Sequence, residues 1–77
     1  MTKWIPIEER LPEFDEDGVS TYVLVSFANY SNLDIGRCER DENGGATFYG
    51  GDDEESYKSY DLIVNAWMSL PKPYKGD

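Results

Sequence analysis

The chain contains no histidine and one cysteine, Cys38. From those residues an internal disulfide, the usual zinc ligand sets, a Cys–His pair and a Ser–His–Asp triad cannot be assembled. A solitary cysteine also fits a reducing compartment. Cations are scarce as well: seven Lys and Arg stand against sixteen Asp and Glu, a formal net charge of −9. That field repels nucleic-acid backbones and anionic lipid headgroups, so direct binding to DNA, RNA or membrane is not expected. No apolar run approaches the roughly 20 residues needed to span a bilayer. The opening Met1-Thr2-Lys3-Trp4-Ile5-Pro6 has neither an apolar run of signal-peptide length nor a small-residue cleavage site. The expectation is a cytoplasmic protein.

What is abundant is aromatic: two Trp, six Tyr and three Phe in 77 residues. A chain of this length has room for one domain, 1–77, near the lower limit at which a hydrophobic core sustains a fold. The aromatics therefore carry much of the core, because each buries a large area. Trp4-Ile5-Pro6-Ile7 reads as a short extended segment at a sheet edge or outside the ladder, since Pro6 lacks an N–H and biases Ile5 away from helix. Glu8 to Leu11 is long enough for one helical turn, ended by Pro12. Glu13 to Gly18 is acidic and turn-like, closing on Asp17-Gly18. Ser20 to Phe27 is the strongest strand signal and reads as the central strand, being too apolar for an exposed face.

Asn29 to Asp34 is polar and reads as a turn. Ile35 to Arg40 alternates, with Ile35, Arg37 and Glu39 on one face and Gly36, Cys38 and Arg40 on the other. Gly36 inside that strand marks a bulge or a close backbone approach. Asn43-Gly44 signals a tight hairpin turn in which both residues tolerate positive φ. Ala46 to Tyr49 is the return strand, and Gly50-Gly51 ends it. Asp52 to Glu55 cannot pack without partners and reads as a solvated loop. Ile63 to Met68 is the last strand, and Leu70-Pro71-Lys72-Pro73 an extended exit. The expected fold is mainly β: a small curled antiparallel sheet or open barrel of three to five strands with one or two short helical turns.

The two Trp-centred ends resemble a family of small proteins, the domain-of-unknown-function 551 family. The resemblance is carried by Trp4-Ile5-Pro6-Ile7, Arg10-Leu11-Pro12, Val23-Leu24-Val25, Ile35-Gly36 and the stretch from Val64 through Trp67-Met68 to Leu70-Pro71-Lys72-Pro73. It implies a phage, prophage or bacterial setting and no agreed activity. Ala66 stands where the family often has His before the second Trp, and Ser69 where Pro often follows the Met. A role for that His does not carry over to this chain. The acidic insert around Asp52 to Glu55 is a further departure.

Chemistry-bearing residues are mostly carboxylates. Asp15, Glu16, Asp17, Asp41, Glu42, Asp52, Asp53, Glu54 and Glu55 do not match a calcium loop, which needs acids at alternate positions and Gly at the sixth. No metal or cofactor is implied. Presented together, these acids form a negative surface suited to a basic protein surface, and they imitate the charge of nucleic acid. Cys38 lies between Arg37 and Arg40, but its place opposite Arg37 reads as a small core residue rather than a reactive thiol. Trp4 and Trp67 read as neighbouring core residues that hold the termini together.

The resulting expectation is a small acidic, non-enzymatic phage or prophage accessory protein that binds another protein. Its sharpest form is inhibition of a basic nucleic-acid-binding host defence factor. The alternative is a small-ligand protein for a nucleotide-like signal, with aromatics stacking on it and Arg10, Arg37 or Arg40 meeting its charge. A sheet with few strands also leaves edges, which a homodimer would pair across a two-fold axis.

Overall fold

A computed structural model describes residues 3–71. Five antiparallel strands form one unclosed sheet: β1 (Ile5–Pro6), β2 (Val23–Phe27), β3 (Tyr30–Arg40), β4 (Ala46–Gly50) and β5 (Val64–Ser69). Their order is β1-β5-β2-β3-β4. The apolar run at Val23–Phe27 therefore is central, flanked by β5 and β3, and the proline-bearing segment is an edge strand, where a missing N–H costs least. One short 3-10 helix, Tyr57–Tyr60, interrupts the passage from β4 to β5. The expected helical turn at Glu8 to Leu11 is a single hydrogen-bonded turn, in which Pro6 O accepts from Glu9 N at 2.9 Å and Arg10 N at 3.3 Å. The Lys72-Pro73 part of the expected exit lies outside the described residues.

Strand alternation sorts the side chains. Val23, Val25, Phe27, Cys38, Phe48 and Trp67 are buried on one face, and that face is roofed by Ile7, Leu11 and Phe14 from the N-terminal segment and by Tyr57 and Leu62. Gly36 and Cys38 lie on this inner face of β3 while Ile35, Arg37 and Glu39 point away, as the alternation required. Before β2 begins, Ser20 already joins β3: its N donates to Cys38 O at 2.8 Å and its Oγ accepts from Cys38 N at 2.9 Å. Ser20 is buried, and that reciprocal bonding is why a hydroxyl is tolerated there.

Three expectations are corrected. Residues 30–34 are not a turn but the exposed half of an eleven-residue strand, and the β2–β3 connection is only Ala28-Asn29. Pairing with β2 (Phe27 with Tyr30, Val25 with Asp34) overrides a composition that by itself favours a loop. The Asn43-Gly44 turn is a wider loop spanning Asp41 to Gly45, with only Gly44 at positive φ (85°). Asp41 accounts for the extra width, because its carboxylate takes the N–H groups of Asn43 and Gly45 at 2.9 and 2.8 Å. Trp67 is core, but Trp4 is only half-buried and outside the core cluster. Ile5 takes the position opposite Trp67, and alternation turns Trp4 to the other side.

Gly36 is the close approach. It pairs with Gly50 across β3 and β4, and a Cβ on Gly36 would stand 2.6 Å from Tyr57 Oη and closer still to Tyr49 O. Gly36→Ala is expected to destabilise the domain by about 1–3 kcal/mol, the usual cost of overpacking. The measurement is a urea midpoint at constant m-value. An unchanged midpoint would place the Tyr57 ring elsewhere.

Candidate functional site

The nine acidic residues singled out above divide into three turns, each anchored by an aspartate. Asp15 Oδ1 accepts from Asp17 N at 2.9 Å and Val19 N at 3.0 Å, and Gly18 follows at φ 79°. Asp41 closes the β3–β4 loop in the same manner. In the third turn Asp53 Oδ1 accepts from Glu55 N at 3.0 Å and its Oδ2 from the Tyr60 hydroxyl at 3.0 Å. Those bonds, the Glu55 N–H foremost, hold the Asp53 carboxyl below its ordinary pKa. Asp52 accepts a short hydrogen bond from the Tyr22 hydroxyl.

Four of the nine acids are thus turn builders or loop anchors. Glu16, Asp17, Glu42, Glu54 and Glu55 are exposed, and among the described residues their carboxylates have no hydrogen-bond partner. The fold brings two turns together: Arg40 N donates to Gly18 O at 2.8 Å, which sets the Asp15–Gly18 turn beside the Asp41–Gly45 loop. The third turn begins beyond the opposite end of β4, about 16 Å away for five residues of strand. The acids therefore make two separate negative regions rather than one. Among the described residues no group of three or more carboxylates or cysteines could hold a metal ion.

Sequence reasoning did not single out the outer face of the sheet. Among the described residues its cover is partial, with the half-buried Trp4 turned to it at the β1 edge. Register sets Tyr22, Arg37 and Tyr49 in one row across β2, β3 and β4, and Met68, Leu24 and Ile35 in the next across β5, β2 and β3. Tyr22 is 46% exposed, Leu33 54%, Ile35 48% and Leu70 37%. Contiguous apolar exposure of this kind marks interaction surfaces. The signal in the sequence was the even positions of β2 and β5, Leu24, Ala66 and Met68, which are apolar on the side that does not face the core.

On the inner side, a groove of about 600 Å³ runs between the N-terminal segment and the sheet, lined by Arg10, Phe14, Thr21, Val23 and Trp67 among others. The Trp67 indole N–H donates to Arg10 O at 3.0 Å, and the Arg10 guanidinium sits 5.7 Å from the ring centroid. Of the three arginines considered for ligand charge, Arg10 alone lines this groove. Arg37 lies on the outer face against Tyr49 at 4.8 Å, and Arg40 lies over Phe14 at 5.6 Å.

Cys38 and Tyr57 both hold their protons more tightly than usual. Burial pushes the Cys38 thiol from 9.0 up to about 12, so the thiolate needed for reactivity is scarce. Burial first, and then donation to Asp34 Oδ2 at 2.8 Å, raise the Tyr57 phenol well above its ordinary 10.0. The folded state then holds this proton more tightly than the unfolded chain. Its stabilisation is complete below the ordinary phenol value and is lost as pH rises past that value towards the folded one. Melting temperatures between about pH 9 and about pH 11 should fall more steeply for the native chain than for Tyr57→Phe; equal slopes would refute the assignment.

A family model described as a protein of unknown function (DUF551) matches residues 3–75. No curated protein and no solved structure matches the chain.

Proposed function

The chain belongs to the DUF551 family, described only as of unknown function, and from that premise we propose that it is a non-enzymatic phage or prophage accessory protein that binds a basic protein surface. The observation that carries this reading is the division of labour among its acids. Asp15, Asp41 and Asp53 fix the backbone of their turns, so Glu16, Asp17, Glu42, Glu54 and Glu55 are presented to solvent by constrained loops, and their carboxylates have no hydrogen-bond partner among the described residues. Pre-set charge of one sign steers a partner of the other and costs little ordering on contact. A basic nucleic-acid-binding host defence factor, inhibited by occupation of its groove, is the partner class that suits a surface imitating the charge of nucleic acid.

A non-enzymatic role is supported by the titratable groups. The Tyr22, Tyr57 and Tyr60 hydroxyls all donate to carboxylates and have raised pKa values. With Cys38 raised too, none of them is activated as a base or nucleophile near pH 7.

The test reverses charge where the fold does not use it. Glu54→Lys with Glu55→Lys, and separately Glu16→Lys with Asp17→Lys, should leave the melting temperature unchanged and weaken capture of a basic host protein by about tenfold or more, the scale of electrostatic steering. Capture should also fall with added salt. A partner retained equally by both variants at high salt overturns the proposal.

The groove beside Trp67 favours a second reading, a small ligand of nucleotide-like shape stacked on the aromatics and met by Arg10. The net charge of −9 opposes a strongly anionic one. A ligand at about 100 times its Kd adds about 2.7 kcal/mol of stability, so a thermal-shift screen of nucleosides and nucleotides reads it directly. No shift with any of them removes this reading.

A further inference from the structure

We infer that the outer sheet face, centred on Tyr22, Leu24, Ile35, Met68 and Leu70, receives a polypeptide segment whose apolar side chains are flanked by Lys or Arg. The inference rests on the reading that the partner is a basic protein, and it names the surface and the chemistry of contact.

The inner face of the sheet is roofed by Ile7, Leu11, Phe14, Tyr57 and Leu62, while the outer face, with half-buried Trp4 at its β1 edge, keeps large apolar side chains exposed among the described residues. Tyr22 is 46%, Ile35 48% and Leu70 37% exposed. A single-layer sheet gains from burying its second face, and apolar side chains exposed among the described residues are ones that a partner can bury.

Arg37, on this face, is already engaged: its Nε donates to Glu39 at 2.8 Å, its Nη1 to Gly51 O, and its guanidinium lies 4.8 Å from the Tyr49 ring centroid. It offers little to an anionic partner. At the same margin Tyr22 ties Asp52 to the face through its hydroxyl, and Gly51 N binds Ile35 O at 3.0 Å. The loop carrying Glu54 and Glu55 is thereby fastened beside the apolar rows. An apolar centre with an acidic margin is complementary to an apolar segment with cationic flanks. A second copy of this chain would bring the same acidic margin, with −9 on each partner, so charge opposes self-association through this face.

The test uses the full chain and two probes: a labelled amphipathic peptide of Leu and Lys, and an oligolysine of equal charge. Amide shifts from the Leu-Lys peptide should map to β2, β3 and β5, and its Kd should rise about tenfold in Ile35→Ser/Leu70→Ser. Leu70→Ser alone, which alters a residue beyond β5, serves if the double variant melts early. Oligolysine should bind more weakly and be insensitive to both variants. If the Leu-Lys peptide binds the serine variants undiminished but loses affinity in Glu54→Lys/Glu55→Lys, the face is overturned and the acidic-surface reading stands. Affinity lost in the serine variants yet retained by the charge reversal overturns the acidic-surface reading, and with it the cationic flanks. No peptide binding, or a dimer by sedimentation whose amide shifts fall on this face, also overturns the inference.

Discussion

The Tyr57 ring can lie against the sheet only because Gly36 and Gly50 face each other across β3 and β4 and leave room beneath it. Its edge meets Phe27 at 4.9 Å between centroids, and its hydroxyl reaches Asp34 at 2.8 Å. One side chain from a connecting segment thereby joins the end of β2, the middle of β3 and the end of β4. Among the described residues there is no helix layer to roof the core, so the cover comes from loops, and large aromatics are the residues that give the most buried area per position. The N-terminal segment supplies the other half of the roof through Ile7, Leu11 and Phe14, pinned where the Trp67 indole binds Arg10 O.

A roof built from loops covers one face and, among the described residues, leaves apolar side chains of the other exposed. The same passage that places Tyr57 on the inner face also carries the acidic loop around the edge of the outer one, where Asp52 meets Tyr22 and Gly51 meets Arg37. Core packing and surface chemistry are therefore coupled through residues 50–57. The acids that hold this geometry and the acids that remain free are neighbours in sequence, and only their hydrogen bonds separate them.

Several features were legible because they depend on local chemistry. The apolar run at Val23 to Phe27 had to be central, Pro6 had to be at an edge, and Gly36 in an otherwise regular alternation had to mark a close approach. Residues 30–34 were not legible, since nothing local makes Tyr30-Ser31-Asn32-Leu33-Asp34 a strand; pairing with β2 does. The half-buried Trp4 was missed for a similar reason: composition demands that aromatics go inside, but the register of a two-residue strand gave the inward place to Ile5. The outer face escaped notice because Leu24, Ile35 and Met68 lie far apart in the chain and become adjacent only through register.

By itself the sequence determined the class of fold, the family and the excess of negative charge, because turn residues, strand alternation and composition act over a few residues at a time. It also limited the chemistry, through the missing histidines and the solitary Cys38. The tertiary structure decided which acids build turns and which face solvent, that they form two regions rather than one, and that among the described residues the second face of the sheet keeps apolar side chains exposed. Those are matters of which distant segments meet, and a two-residue-period pattern cannot say which of its two faces will find a roof.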